Sequence, residues 1–298
     1  MNLFLHWLAS TPDFAVPYAL AALGLIVCER AGVLALGAEG LMLVGALAGV
    51  GAQLAFGNSA LSLLAAALAA GVVSILFATM AIVLRINQVI SGLALVFFCQ
   101  GLTSLLGTAF GWENRTFAGL GTLALRQNAM VYLTVPVFFA VAFVLSNSAL
   151  GLRLRAVGEN PQAADAAGIS VPRYRFAAVL VGSAIVGLAG GYLSVVSTKL
   201  WVDGMTAGRG WIAVGLVIFA RWSPWRALAG AALFGCIEAL IPQLAAAGIR
   251  LPQYFVFMTP YAVTLAVMIW AGLASTTGRR SGGEPGALGE PFVREERR

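Results

Sequence analysis

Charge is what this sequence has least of. Only 10% of its 298 residues are Asp, Glu, Lys or Arg, against about 25% in a soluble globular domain. It has one histidine, His6, which excludes a multi-histidine metal site. Its three cysteines, Cys28, Cys99 and Cys236, all stand in apolar stretches. No spacing pairs them with one another or with His6, so they read as small buried hydrophobes and not as a disulfide framework or metal centre. The G-x-x-x-x-G-K-[ST] run that cradles nucleotide phosphates is missing, and so is G-x-S-x-G. Neither ATP binding through a phosphate loop nor nucleophilic hydrolysis is therefore expected here. Residues 1–10 contain no Lys or Arg. They lack the basic opening of a cleaved signal peptide and are expected to belong to the mature chain. The net charge of +6 is spread over the ends of apolar runs, without the aromatic interleaving of a nucleic-acid surface.

What is abundant is apolar surface. Hydrophobic residues make up 60% of the chain, and the mean hydropathy is +0.91. The 35 glycines would weaken soluble helices but let membrane helices approach closely. A span needs about 20 apolar residues. Nine segments qualify as candidates: Phe14–Cys28, Val33–Phe56, Ala60–Leu84, Val89–Phe110, Val131–Asn147, Phe176–Ser197, Gly210–Ala220, Ala227–Leu244 and Tyr254–Leu273. The seventh is too short to cross and predicts a half-helix or re-entrant piece. The second is interrupted around Gly37 and Gly40 and is a second candidate for a broken helix. The expected fold class is an all-α polytopic membrane protein with eight to ten transmembrane helices, including discontinuous or re-entrant segments, over residues 1–274. The tail, 275–298, is rich in Gly, Pro, Glu and Arg and is expected to be disordered and cytoplasmic.

Arginine placement orients the spans. If the loop 151–175 faces the cytoplasm, the inside set is Arg30, Arg85, Arg153, Arg155, Arg173, Arg175, Arg221, Arg226, Arg279, Arg280, Arg294, Arg297 and Arg298. Arg115, Arg126, Lys199, Arg209 and Arg250 lie outside, a bias of 13 to 5 in the expected direction.

That loop is the one long polar interruption of the apolar chain. Asn160 suits a helix N-cap and Pro161 the first helical position. Gly168 suits the left-handed stop. The result is a helix of about two turns, with Ala163, Ala164 and Ala167 on one small-residue face. Two readings stand: an ordinary capped surface helix, or a peg that docks into a groove of another protein.

Intramembrane polar residues are the other informative set, because burying them is costly. Glu39, Asn87, Gln88, Gln100 and Glu238 are the candidates for a substrate pathway. Three of them have a structural counter-reading. Glu39 could cap a helix that restarts near Gly37, Gln100 could hydrogen-bond between helices, and Glu238 could face a neighbouring helix. The runs Arg30–Gly37 and Gly208–Gly215 share a Gly-flanked pattern. Two interrupted segments in matching halves point to structural repeats around a midplane pathway.

The pattern Arg155-Ala-Val-Gly-Glu-Asn-Pro-x-Ala-Ala-x-x-x-Gly-Ile169 resembles the cytoplasmic coupling loop of ABC-importer permeases, in the branch for simple sugars, nucleosides and branched-chain amino acids. Glu29–Leu43, Asn87–Leu95 and Gly208–Pro224 resemble further stretches of nucleoside-type members. The sequence departs from that pattern at Gln88, where many such members have Glu, and at Val96 and Phe97, where many have a nearby Asn. The resemblance implies a permease subunit of an ATP-driven importer in a bacterial inner membrane, for nucleosides or related simple sugars. It implies a second permease subunit, often a longer paralogue, two ABC ATPase subunits that use ATP, and an extracytoplasmic solute-binding protein. No cofactor of this chain's own is implied. Gly158, Glu159, Asn160, Pro161, Ala163, Ala164, Ala167 and Gly168 would then couple it to the ATPase. The alternative is an ion-coupled secondary transporter, for which Glu39 and Glu238 would be the carboxylates.

Overall fold

The computed structural model describes residues 3–120, 127–246 and 283–294, together with isolated positions between 248 and 269. Among the described residues every regular element is helical. Seven helical stretches are long and apolar enough to cross a membrane: Phe4–Glu29, Ala38–Phe56, Ser59–Val83, Gln88–Ala109, Ala129–Asn147, Val171–Thr198 and Pro224–Ala246. The candidate span Tyr254–Leu273 falls mostly outside the described residues.

The helices are α1 (Leu3–Glu29), α2 (Ala38–Phe56), α3 (Ser59–Ala78), α4 (Gln88–Ala109) and α5 (Ala129–Asn147), followed by α6 (Ala149–Glu159), α7 (Pro161–Ala166), α8 (Val171–Gly191), α9 (Arg209–Phe219) and α10 (Pro224–Ala246). α3 and α8 continue into π-helical stretches, Thr79–Val83 and Tyr192–Thr198. α9 has 11 residues, or about 16 Å, and is too short for a hydrocarbon core of about 30 Å. This matches the half-helix expected at Gly210–Ala220. The candidate segment Val33–Phe56 is interrupted only before Ala38, and α2 itself is continuous. It begins at Ala38 and passes Gly40 without a break, while residues 30–37 form turns and irregular chain.

α1 and α8 form the centre. α1 packs on α8, α10 packs on α1, and α3 packs on α8. α2 lies against α8 and the short α9 lies against α1. Exchanging α1, α9 and α10 with α8, α2 and α3 reproduces this pattern, which is what two structural repeats produce. The two Gly-flanked runs differ in placement: Arg30–Gly37 precedes α2, whereas Gly208–Gly215 caps and begins α9 itself.

Close crossings explain much of the glycine. A Cβ at Gly24 would lie 2.3 Å from the carbonyl oxygen of Gly182, and one at Gly45 would lie 2.1 Å from that of Gly187. Backbones meet there with no side chain between them, the contact that small residues allow in membranes. The outer faces of α3, α4 and α5 expose large apolar residues, among them Leu68, Val72, Phe97, Leu105 and Phe139.

One expectation is corrected. Within the tail, residues 283–294 are packed against the arginine-rich end of the bundle. Ala287 N–H donates to the Gly158 carbonyl (2.9 Å) and Gly289 N–H to the Gly32 carbonyl (3.3 Å). Phe292 joins an apolar cluster with Val157, Ala164 and Val171. Polar composition predicted too little burial to order the tail, but three small anchors, Pro285, Ala287 and Phe292, pack against preformed loops. The remainder of 275–298 lies outside the described residues.

Candidate functional site

The polar interruption between α5 and α8 folds as its capping residues dictate. The Ser148 hydroxyl accepts from Gly151 N–H (3.0 Å), starting α6. The chain then breaks at Asn160, whose Oδ1 accepts from Ala163 N–H at 2.9 Å. Pro161 supplies the first residue of α7, where its missing N–H costs nothing. Gly168 takes the left-handed conformation, φ +80°, and ends the turn. Gly158 is needed for contact, since a Cβ there would sit 2.3 Å from the Arg30 carbonyl oxygen. α6 and α7 are thereby seated on the turn after α1. Burial lowers the affinity of the Arg30 guanidinium for its proton, and Glu159 partly offsets this.

The outward face of α7 differs from the expected one. Ala163, Ala166, Ala167 and Gly168 are exposed, whereas Ala164 is buried against Val157 and Val171. Small-residue spacing placed Ala164 with Ala163 and Ala167, but the α6–α8 junction claims the Ala164 methyl group. Glu159 also turns toward the tail, accepting from Gly286 N–H at 3.2 Å.

The polar residues of the membrane interior form two clusters at the start of α9. The Glu39 carboxylate on α2 accepts from the Thr206 hydroxyl (2.6 Å), Gly208 N–H (2.8 Å) and Gly210 N–H (2.7 Å). It thus caps a restarting helix, but that helix is α9 and not its own. An anion at a helix N-terminus is favoured by both the free N–H groups and the dipole. Adjacent to it, the Arg209 guanidinium forms an ion pair with Glu238 on α10. Tyr18 on α1 donates to the other Glu238 oxygen at 2.8 Å. The interior carboxylates Glu39 and Glu238 both have protein donors, so neither stands free as an ion ligand.

Gln88 is buried at the start of α4. Its Oε1 accepts from Leu34 N–H at 2.7 Å, and its Nε2 has no partner. Asn87 caps α4 by accepting from Val89 and Ile90 N–H at 2.9 and 3.2 Å. Gln100 is exposed beside Phe97 and Phe98 on the outer face of α4. The five candidate pathway residues therefore do not line one cavity. Glu39 and Glu238 meet through Arg209 and Gly210, Gln88 braces the turn before α2, and Asn87 and Gln100 face outward.

A third acidic residue is also held by a side-chain donor. Glu29, buried at the end of α1, accepts from Trp222 Nε1 at 2.5 Å. Arg30 Nε and Nη2 donate to the Trp222 carbonyl at 3.2 and 3.0 Å. Two neighbouring opposite charges at a helix end, Glu29-Arg30, were the available signal. The bend at Arg221 and Trp222 is held in positive φ, +50° and +54°, where non-glycine residues are uncommon. The paired contacts clamp this bend to the end of α1.

Residues 12–271 match the family described as the permease component of branched-chain amino acid transport systems. The chain is 37% identical to the putative glucose ABC transporter permease protein TsgC13 of Haloferax volcanii, over 97% of each chain. It is 32% identical to the guanosine ABC transporter permease protein NupQ of Bacillus subtilis, over 97% of this chain and 96% of that one. A nucleoside ABC transporter permease protein of Lactococcus lactis, NupC, is 31% identical over 86% of this chain and 88% of its own. The first two organisms also give more distant matches to further permease proteins. These are TsgB13, at 28% over 70% of this chain and 62% of that protein, and NupP, at 26% over 62% and 59%. With seven membrane-length helices among its described residues, and matched along nearly its whole length to transport permeases, the chain belongs to the ABC-transporter permease family of the simple-sugar and nucleoside type, a family of transport subunits and not of enzymes.

Proposed function

We propose that this chain forms half of the translocation pathway of an ATP-driven importer for nucleosides or related simple sugars, and that α7 is its contact with the motor. The observation that carries the reading is the exposed face of α7, Ala163, Ala166, Ala167 and Gly168, held on a capped helix. A rigid, small-residue projection suits insertion into a groove. ATP belongs to partner ATPase subunits. A second permease subunit, a longer paralogue, completes the pathway, and an extracytoplasmic binding protein delivers the solute. The pairing of TsgC13 with TsgB13 and of NupQ with NupP within one organism supports a two-permease assembly.

In this reading the membrane is a bacterial inner membrane, with the arginine-rich end, α6–α7 and the tail in the cytoplasm. α9 and the segment before it together make one further crossing, for a total within eight to ten. Closure of the ATPase dimer would move α7 and switch access to the pathway.

The test is uptake into proteoliposomes that hold the complete complex, with radiolabelled guanosine and glucose compared in separate assays. ATP-dependent accumulation of one of them supports the assignment. Accumulation that follows an imposed ion gradient and ignores ATP overturns it.

A further inference from the structure

Beside α7 lies a pocket apart from the polar clusters at the start of α9. It has a volume of about 390 Å³ and is walled by the end of the π-helical stretch after α3, the start of α8 and the docked tail. Three arginines line it, Arg85, Arg175 and Arg294, with one carboxylate, Asp165. Asp165 is already paired with Arg294, at 3.1 Å. Arg85 and Arg175 have no ion-pair partner among the described residues.

Arg175 is the informative member. It is only 2% exposed, and its one hydrogen bond runs from Nη1 to the main-chain carbonyl of Glu290 at 2.7 Å. Among the described residues its Nε and Nη2 are buried without a partner. A buried guanidinium is stable when an anion compensates it, and leaving such donors unmet is costly. The carboxylate of Glu290 is exposed and makes no ion pair with it. Among the described residues the site therefore has more positive charge than its ion pairs neutralise.

The other wall is apolar. Ile82, Val83 and Phe292 line the pocket, and Val83 is 62% exposed. From Val83 the exposed apolar surface continues along α3 through Leu76 and Val72, the surface that meets acyl chains in a membrane helix. Cations at the membrane boundary beside a lipid-facing apolar strip match a phosphate headgroup with its chains attached. Basic pockets between transmembrane helices are suited to such headgroups.

We propose that this pocket is a binding site for an anionic phospholipid. Its phosphate would sit among Arg85, Arg175 and Arg294, and its chains would run over Val83 and α3. The occupied site would adjoin α7 through Asp165, so the lipid would brace the motor-facing loop.

Native mass spectrometry of the full-length chain tests the assignment, with titration of phosphatidylglycerol, phosphatidylcholine and inorganic phosphate in parallel. Phosphatidylglycerol should bind in preference to phosphatidylcholine. Arg85→Gln and Arg294→Gln should each weaken it about fivefold, the expected contribution of one cation near a lipid surface. Arg115→Gln, at an exposed position near the opposite end of α4, should change nothing. Equal binding of the two lipids overturns the proposal, as does undiminished preference in the Arg85→Gln, Arg294→Gln double variant. Inorganic phosphate that binds as tightly as phosphatidylglycerol makes this a free-anion site and overturns the lipid assignment.

Discussion

Glu39 and Gly210 hold each other in place across two halves of the chain. The carboxylate accepts from the Gly210 N–H at 2.7 Å, and a Cβ on Gly210 would lie 2.5 Å from the Glu39 backbone. The hydrogen bond fixes the charge at the start of α9, and the bare glycine lets α2 come near enough to make it. Glu39→Gln keeps the shape but sets an amide near N–H donors. Hydrogen bonds to a charged group contribute about 1.5–3 kcal/mol, so the variant should unfold at visibly lower SDS fraction or temperature. Gly210→Ala should be worse, because backbone must shift. Gly101→Ala, which meets nothing within 4 Å, should match the parent. A Gly210→Ala protein as stable as the parent would show that the two helices separate freely.

The Arg209–Glu238 pair is expected to behave as a coupled unit. The two side chains are only 19% and 14% exposed. Glu238→Ala leaves the guanidinium without its partner, which costs about 2–5 kcal/mol for a buried charged pair. The Arg209→Met, Glu238→Leu double variant should recover much of that loss. A double-mutant cycle on thermal unfolding reads the coupling directly, and additive single effects would dissolve the pair as a structural unit.

On α7 two adjacent classes of alanine should separate. Ala164 is buried, at 4% exposure, among Val157, Val171 and Phe292. Ala164→Arg should therefore loosen the α6–α7 loop itself, seen as faster limited proteolysis. Ala167 is exposed, so Ala167→Arg should leave the loop protected and abolish capture of the ATPase in a pull-down. If Ala167→Arg retains the ATPase and full ATP-driven uptake, the exposed face of α7 has no docking role.

The docked tail should matter through Phe292 more than through its ion pair. Arg294 is 77% exposed in its contact with Asp165, and surface pairs contribute about 0–1 kcal/mol. Arg294→Ala should leave unfolding nearly unchanged. Phe292→Ala removes a half-buried ring from the cluster under Ala164 and should cost about 1–2 kcal/mol. Hydrogen exchange at Ala164 and Ile169 amides compares the two, and the reverse order would contradict the packing described.

The sequence made some of this plain and hid the rest for definable reasons. Asn160, Pro161 and Gly168 act locally, so the helix they bound was readable from spacing. The shortness of the Gly210–Ala220 segment was readable in the same way. Which face of α7 points outward was not, because the burial of Ala164 depends on Val171 and on Phe292, more than a hundred residues away. The partner of Glu238 was equally out of sight, since Arg209 is on another helix. For Glu39 the sequence leaves a pathway residue and a helix cap both open, and only tertiary packing shows that the helix it caps is α9. The tail's docking follows from three small anchors that composition averages away.

α8 touches three other helices through bare backbone. Gly182 meets Gly24 on α1, and Gly187 meets both Gly45 on α2 and the Ala66 carbonyl on α3. Side chains can swing to absorb a shift of neighbouring helices, but main chain in direct contact cannot. These helices are therefore geared together and must rotate as one block. Whatever push arrives at the α6–α7 elbow acts as leverage on that block, and the slack needed to open a passage has to come from the helices outside it.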